Sequence, residues 1–191
     1  MLTYILEHKN GFNGIVNIER GMDDQCIVTS IEDNITSQGK TIKEAIENLN
    51  TCYTENIKKK KNNVIKFIYD CFFHDYFSIK IEWNEDNQCG EYVLYTTPRH
   101  GSFEKDDVKH YKKQIGEKHI KELLLMMDKY KYFDESNYIE RLGLDGSFWT
   151  TEIKINNKYK KLTIWSPNDG IVYLIGKYLI DLSEIDLGKI Y

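Results

Sequence analysis

The sequence predicts an α+β protein: a small N-terminal sheet with one packed helix, followed by a second α+β module with antiparallel hairpins and a C-terminal helix. Three observations predict this fold class. A capped amphipathic helix follows a group of short strands near residue 41. Residues 76–83 alternate between apolar and polar side chains, which is typical of a strand. Near the end of the chain, a hairpin at residues 147–165 leads directly into another capped helix.

The first module begins with short strands. They are predicted at residues 2–8, 14–19, 26–31 and 34–38. Asn10-Gly11, between the first two, is a favoured hairpin turn pair. Gly39 then leads into the helix, where Thr41 and Glu44 have the spacing of a capping box. The helix carries one apolar stripe, formed by Ile42, Ala45, Ile46, Leu49 and Tyr53.

Four consecutive lysines at positions 58–61 mark the predicted boundary between the modules. Adjacent like charges repel one another and favour solvent, so a solvated helix end or linker is the simpler interpretation. A basic patch for nucleic acid is the other interpretation. We therefore divide the chain into a module at residues 1–60 and a second module at residues 64–191.

The second module opens with an apolar segment at residues 64–73 that suits either a helix or a strand. Residues 76–83 and 91–97 are predicted to pair as a hairpin. Residues 98–118 are polar and predict a loop with a short helix. An amphipathic helix is predicted at about residues 119–131, where the apolar residues with helical spacing are Ile120, Leu123, Leu124 and Met127.

The register of the last hairpin can be predicted from its turn. Asn156-Asn157 tolerates the positive φ angles of a two-residue turn between residues 147–155 and 159–165. That turn would place four pairs opposite one another: Trp149 and Ile164, Thr151 and Leu162, Glu152 and Lys161, and Phe148 and Trp165.

A helix is predicted directly after this hairpin. Ser166 is the expected N-cap, Pro167 suits the first helical position, and Asp169 complements the positive end of the helix. The predicted buried stripe of this helix consists of Ile171, Val172, Ile175, Leu179 and Leu182.

Charge and composition argue against several classes of protein. A net charge of −4 and a pI near 5.8 argue against nonspecific binding to nucleic acid and suit a basic protein partner. We expect no membrane partner, because no apolar run approaches the roughly 18 residues that span a bilayer, and no signal peptide is visible. Four scattered cysteines without a Cys-x-x-Cys pair are typical of reduced thiols in a cytoplasmic protein. Abundant Lys, Ile and Asn suggest an AT-rich bacterial genome.

Few residues point to chemistry. The five histidines are dispersed, no familiar zinc-binding or nucleotide-binding motif occurs, and we predict no catalytic residue, cofactor or metal site. Arg99 and His100 are weak ligand-site candidates, because exposed loops often carry function. An enzyme would need Asp145 and Glu152 to converge with them in one pocket. Glu152 opposite Lys161 is better explained as a cross-strand ion pair.

A short motif follows the strand that begins at Cys26. Residues 39–48 carry the pattern Gly-x-Thr-x-x-Glu-Ala-x-x-Asn. On these features, residues 23–57 resemble the N-terminal portion of HicB-like antitoxins. The resemblance implies a small sheet with one helix, like a partial ribonuclease-H fold without catalytic residues. In toxin–antitoxin pairs, this module masks a small ribonuclease. The family's Pro-Asp-Leu-Pro-Gly-Cys segment is replaced at residues 31–34, and no operator-binding tail is recognisable after residue 57.

The leading functional hypothesis is a non-enzymatic protein-binding protein, either antitoxin-like or a scaffold. Its acidic residues Asp23, Asp24, Glu32 and Asp33 would contact a small basic, toxin-like partner. An immunity protein that neutralises a toxin is the alternative, and an enzyme is less favoured. Exposed sheet edges in the first module are compatible with a homodimer.

Overall fold

The computed structural model describes residues 2–6, 12–21, 23–59, 62–71, 74–84, 89–98, 107–136 and 146–184. As the sequence predicts, the protein is α+β: these residues form two antiparallel sheets, of four and six strands, and three α-helices. They divide into two compact units. Those within Met1–Lys60 and His100–Lys109 form the first unit, and those within Lys61–Arg99 and His110–Tyr191 form the second. Among the helices that are described, none combines the length and apolar character needed to cross a membrane.

The first unit is a four-stranded antiparallel meander with one helix. Its elements are β1 Leu2–Leu6, β2 Gly14–Arg20, β3 Cys26–Ser30, β4 Thr36–Gly39 and α1 Ile42–Lys59. The strands lie side by side in chain order, β1-β2-β3-β4, and α1 packs mainly on β3 and β4. The predicted turn at Asn10-Gly11 lies outside the described residues.

The start of α1 is capped nearly as the sequence predicts. The Glu44 amide donates a hydrogen bond to Thr41 Oγ1 at 3.2 Å, as in a capping box. The Glu44 carboxylate, however, accepts from the Lys40 amide at 2.8 Å, one residue before the expected donor. Only the Glu44 amide is one that the first helical turn would leave without a partner, because Lys40 precedes the N-cap.

The apolar stripe of α1 is buried at three of its five positions. Ala45, Leu49 and Tyr53 are buried, and Ile46 is half-buried. Ile42 is 49% exposed. It opens the helix, and helical side chains tilt toward the N-terminus, so its side chain points beyond the turns that cover the sheet. At the other side of this junction, a Cβ on Gly39 would lie 2.6 Å from the Ala45 amide nitrogen, which shows how closely β4 approaches the helix.

The second unit is a six-stranded sheet with two α-helices packed on one face. Its elements are β5 Asn63–Cys71, β6 Tyr76–Trp83, β7 Gly90–Thr97, β8 Lys109–Ile115, α2 Glu117–Lys129, β9 Ser147–Ile155, β10 Lys158–Trp165 and α3 Gly170–Ser183. The order across the sheet is β10-β9-β5-β6-β7-β8. The described part of the segment at residues 64–73, which suited a helix or a strand, therefore belongs to β5 at the centre of the sheet. The core between sheet and helices includes Phe67, Ile79, Leu123, Ile175 and Leu179.

β8 corrects the prediction of a loop and short helix at residues 98–118. The strand is the last in the sheet order, and every residue from Lys109 to Lys112 is exposed. An edge strand exposed on both faces has no alternation of apolar and polar residues, so periodicity does not reveal it. α2 follows directly and overlaps the helix predicted at residues 119–131.

The predicted register of the last hairpin is confirmed. All four expected pairs lie opposite one another: Trp149 and Ile164, Thr151 and Leu162, Glu152 and Lys161, and Phe148 and Trp165. Asn156 has a φ angle of 54°, as the two-residue turn requires. The turn chemistry and the alternation of the two strands therefore determine this register together.

α3 begins later than the sequence predicts. Ser166, the expected N-cap, closes the hairpin: its amide donates to the Ser147 carbonyl at 2.7 Å, and its Oγ accepts from the Ser147 amide at 3.0 Å. The N-cap is instead Asp169. Leu182 is half-buried. The other predicted members of the stripe are buried: Ile171, Val172, Ile175 and Leu179.

Candidate functional site

The four acidic residues predicted to bind a partner lie in two separate turns, at opposite ends of β3. Asp23 and Asp24 are exposed in the turn before β3, and Asp24 lies 3.9 Å from the Arg20 guanidinium. Glu32 and Asp33 follow the other end of β3. A five-residue strand separates these two turns by roughly 17 Å. The sheet therefore holds the two acidic pairs apart.

Glu32 has a structural role in the first unit. Its side chain is 5% exposed, and its Oε1 accepts a hydrogen bond from the Ile15 amide at 3.2 Å. The same turn is held by Ser30, whose Oγ accepts from the Asp33 amide at 3.2 Å. These bonds tie the β3–β4 turn to the start of β2. Glu32 is thus not part of the exposed surface.

A row of exposed carboxylates lies on α1, a helix whose sequence also carries Lys43, Lys58 and Lys59. Glu44, Glu47 and Glu55 are exposed and lie on the side of the helix opposite Leu49 and Tyr53, which are buried. Sequence reasoning used the helical spacing to find the apolar stripe but did not use it to find this complementary face. The same periodicity contains the signal, because residues three, eight or eleven positions apart project toward one side of a helix. We call Glu44, Glu47 and Glu55 the α1 acidic stripe.

The α1 acidic stripe is held rigidly. The buried face of α1 packs on the sheet through its apolar side chains. Ser37 Oγ in β4 donates to the Ala45 carbonyl at 2.7 Å, and Asn48 Nδ2 donates to the Gln38 carbonyl at 2.8 Å. Because the backbone beneath them is already ordered, the three carboxylates can contact a partner without the entropy cost of ordering a loop.

Glu152 lies in a buried charged row on the second unit. The pairing of β5, β9 and β10 places it opposite Lys66 on one side and Lys161 on the other. Lys66 is 1% exposed and Glu152 is 2% exposed. Tyr159 donates a hydrogen bond to Glu152 Oε1 at 2.5 Å. The row lies within one sheet and explains the position of Glu152 as cross-strand charge pairing.

Burial determines how the row titrates. It raises the pKa of Tyr159 far above the usual range, and the charge and hydrogen bond of Glu152 raise that pKa further. Burial lowers the pKa of Lys161; the facing Glu152 opposes this effect and the nearby Lys66 adds to it. Tyr159 therefore remains a neutral hydrogen-bond donor, which suits a structural role beside the carboxylate.

The other residues of the enzyme hypothesis are not described. Arg99, His100 and Asp145 lie outside the described residues, so the convergence with Glu152 that an enzyme would need is not tested. Within the described ranges, no group of three or more His, Cys, Asp or Glu side chains could hold a metal ion.

A second polar network joins α2 to α3. Tyr178 donates to Glu122 Oε2 at 2.5 Å, and its oxygen lies 2.7 Å from His119 Nδ1. Because the hydroxyl proton is directed to Glu122, neutral His119 must carry its proton on Nδ1 and donate it to Tyr178. Burial and then the bonded Glu122 raise the pKa of Tyr178. The network fastens the two helices side by side.

A groove of about 330 Å³ lies at the turn of the last hairpin, next to the end of α2. Leu124, Met127, Phe133 and Ile155 give it an apolar lining. Its charged residues have both signs: Asp128, Lys131, Asp134 and Lys158. The groove is large enough for an apolar side chain of a partner, but its mixed rim favours no particular ligand charge.

None of the protein-family models matches this sequence, and no curated protein is a significant match to it. The resemblance to HicB-like antitoxins therefore stays a prediction. The motif behind it has a clear local structure: Gly39 allows β4 to approach α1, and Thr41 with Glu44 caps the helix.

Proposed function

We propose that this chain is a non-enzymatic, antitoxin-like protein that binds a small basic protein through the α1 acidic stripe. The observation that carries the proposal is the exposed row of Glu44, Glu47 and Glu55 on one side of a packed helix. The net charge of −4 supports the same polarity of partner. The HicB-like motif, which builds the start of this helix, supports the antitoxin-like role.

Electrostatic attraction explains how such a surface would work. Carboxylates at the rim of an interface accelerate encounter with a basic partner and discriminate against acidic ones. Exposed ion pairs contribute little each, so an effective surface needs several charges held in one arrangement. A rigid helix provides that arrangement. The proposed complex should therefore weaken as the salt concentration rises.

The test is capture of the tagged protein from its native host, followed by mass spectrometry of the bound proteins. The variant carries Glu44→Lys, Glu47→Lys and Glu55→Lys. The control carries Glu19→Lys, Asp23→Lys and Asp24→Lys, three exposed residues at the β2–β3 end of the same unit, with the same change in net charge. Circular dichroism shows whether both variants remain folded.

We expect the wild type and the control to capture one small basic protein in stoichiometric amount. The variant with the three lysines on α1 should not capture it, and the wild type should lose it in high salt. If only the control fails to capture the basic protein, the binding surface includes Asp23 and Asp24 instead of the α1 acidic stripe. A basic partner retained by both variants, or no stoichiometric partner at all, would overturn the proposal.

A further inference from the structure

β8 is exposed on both faces at the edge of the second sheet. It is last in the strand order, so among the described strands only β7 lies beside it. Four successive side chains of β8 are exposed: Lys109, His110, Tyr111 and Lys112. Successive side chains of a strand point to opposite faces of the sheet, so neither face is covered at these positions. Such an edge presents backbone N–H and C=O groups with which a further strand can pair.

The exposed part of β8 is basic. Lys113 is engaged within the unit, because its Nζ donates a hydrogen bond to the Leu182 carbonyl at the end of α3. Lys112 makes only a long contact, 3.9 Å to Glu91, and its side chain stays 53% exposed. Lys109 makes no ion pair within the described part of the chain. Lys109 and Lys112 are therefore available to a partner.

We propose that β8 accepts an acidic, extended segment of another protein as a further strand of the sheet. Main-chain hydrogen bonds along the edge supply affinity in this mode of binding, and side chains supply selectivity. Lys109 and Lys112 are three positions apart, so they lie on opposite faces of the sheet. The segment that fits therefore carries two carboxylates, also three positions apart, one on each of its faces.

Charge selects an acidic strand over a second copy of β8. Opposite charges directly across two strands stabilise a sheet, and like charges destabilise it. In an antiparallel pair of β8 strands centred on Tyr111, Lys109 of each copy would face Lys113 of the other. The lysines thus disfavour self-pairing and favour an acidic partner.

The backbone edge and the net charge select a polypeptide over a nucleic acid. A peptide strand pairs with both the N–H and the C=O groups of an edge, whereas a phosphate backbone has no donor for the carbonyls. The net charge of −4 also opposes a polyanion as long as a nucleic acid. This surface binds a partner of opposite charge to that of the α1 acidic stripe, so the inference does not rest on the proposed function.

Peptide binding tests the charge and the strand pairing separately. The probe is a fluorescently labelled peptide that repeats the triplet Glu-Val-Thr, which places successive glutamates on alternate faces of a strand. One control peptide has lysine in place of glutamate. A second control keeps the glutamates but is methylated on its backbone amides, so that it cannot donate hydrogen bonds to the edge. Fluorescence anisotropy measures the affinity of each peptide.

The protein variant carries Lys109→Glu and Lys112→Glu. Its control carries Lys131→Glu and Lys158→Glu, two exposed lysines with the same change in net charge, of which Lys158 lies on β10 at the other end of the sheet order. Circular dichroism shows whether both remain folded. The acidic peptide should bind the wild type and the control, and bind the β8 variant at least about tenfold more weakly, because two attractive pairs become repulsive. Both control peptides should bind the wild type at least about tenfold more weakly than the acidic peptide does.

Three results would overturn the proposal. The first is no saturable binding of the acidic peptide at about millimolar concentration. The second is equal affinity of the β8 variant and the wild type, or of the methylated and unmethylated peptides. The third is a single-stranded oligothymidine that binds the wild type more tightly than the acidic peptide and loses affinity in the β8 variant, which would indicate a nucleic-acid surface.

Amide hydrogen exchange in the wild type locates the bound strand without any substitution. A saturating amount of the acidic peptide should slow the exchange of alternate amides of β8, those whose N–H groups point away from β7, by at least about tenfold. The amides of β10 should exchange as they do without peptide. Protection confined to residues outside β8 would overturn the proposal.

Discussion

The Tyr159 hydroxyl donates a hydrogen bond of 2.5 Å to Glu152 Oε1, joining β10 to β9 over a buried part of the sheet. Glu152 is also flanked by Lys66 on β5 and Lys161 on β10. One carboxylate thus faces two lysines and a tyrosine. Glu152 therefore connects three strands of the sheet, in agreement with the cross-strand pairing that the sequence predicts.

Replacing Glu152 by Gln should destabilise the protein substantially. The change keeps the shape of the side chain but removes the negative charge that faces the buried Lys66. Removal of one partner from a buried charge pair costs about 3–5 kcal/mol. Urea unfolding measures the loss. Glu91→Gln is the control: Glu91 is half-exposed, 3.9 Å from Lys112, and its replacement should cost less than about 1 kcal/mol. Equal effects of the two changes would contradict a structural role for the row.

Alkaline pH should destabilise the protein through its buried tyrosines. Burial raises the pKa values of Tyr132 and Tyr159 above the ordinary 10.0. Above pH 10, both tyrosines therefore stay neutral in the folded chain, whereas they ionise in the unfolded chain. Their contribution to the free energy of unfolding is complete below pH 10 and is lost as the pH rises toward the folded pKa values.

Urea unfolding at increasing pH measures this loss, and phenolate absorbance follows the tyrosines. Tyr132→Phe, which removes one of these groups, should make the alkaline decline shallower. Complete phenolate formation near pH 10 in a chain that is still folded would contradict the prediction.

Gly39→Ala should destabilise the first unit by about 1–3 kcal/mol, because the new Cβ would lie 2.6 Å from the Ala45 amide nitrogen. β4 or α1 must then move. Gly116→Ala adds the same methyl group where no atom lies within 4 Å, at the N-cap of α2, and should change stability by less than about 1 kcal/mol. Thermal unfolding of both variants provides the comparison. A Gly39→Ala protein as stable as the Gly116→Ala protein would contradict the close approach of β4 and α1.

Local sequence signals predict local structure well in this chain. The hairpin register follows from a two-residue turn and the alternation of its strands. The α1 cap follows from Thr41 and Glu44. Ser166 shows the limit of such signals: serine suits a helix N-cap, but here its backbone, with a φ angle of 41°, closes the hairpin. The choice depends on Ser147, 19 positions earlier in the chain.

The arrangement of the second sheet is not readable from spacing. β5 pairs with β9, and the residues that meet, such as Lys66 and Glu152, are far apart in the sequence. The charged row was therefore missed, although Glu152 opposite Lys161 was predicted correctly. The burial of Glu32 could not be predicted either, because it depends on the Ile15 amide, 17 positions earlier in the chain.

The most direct test of the central claim is the dissociation constant of the captured basic partner, measured in low salt for the wild type and the two charge-reversal variants. The proposal predicts binding at least about tenfold weaker when Glu44, Glu47 and Glu55 are replaced by lysine, which corresponds to the loss of several rim charges. The Glu19, Asp23 and Asp24 control should bind as the wild type does. Equal affinity of the α1 variant and the wild type would contradict the account.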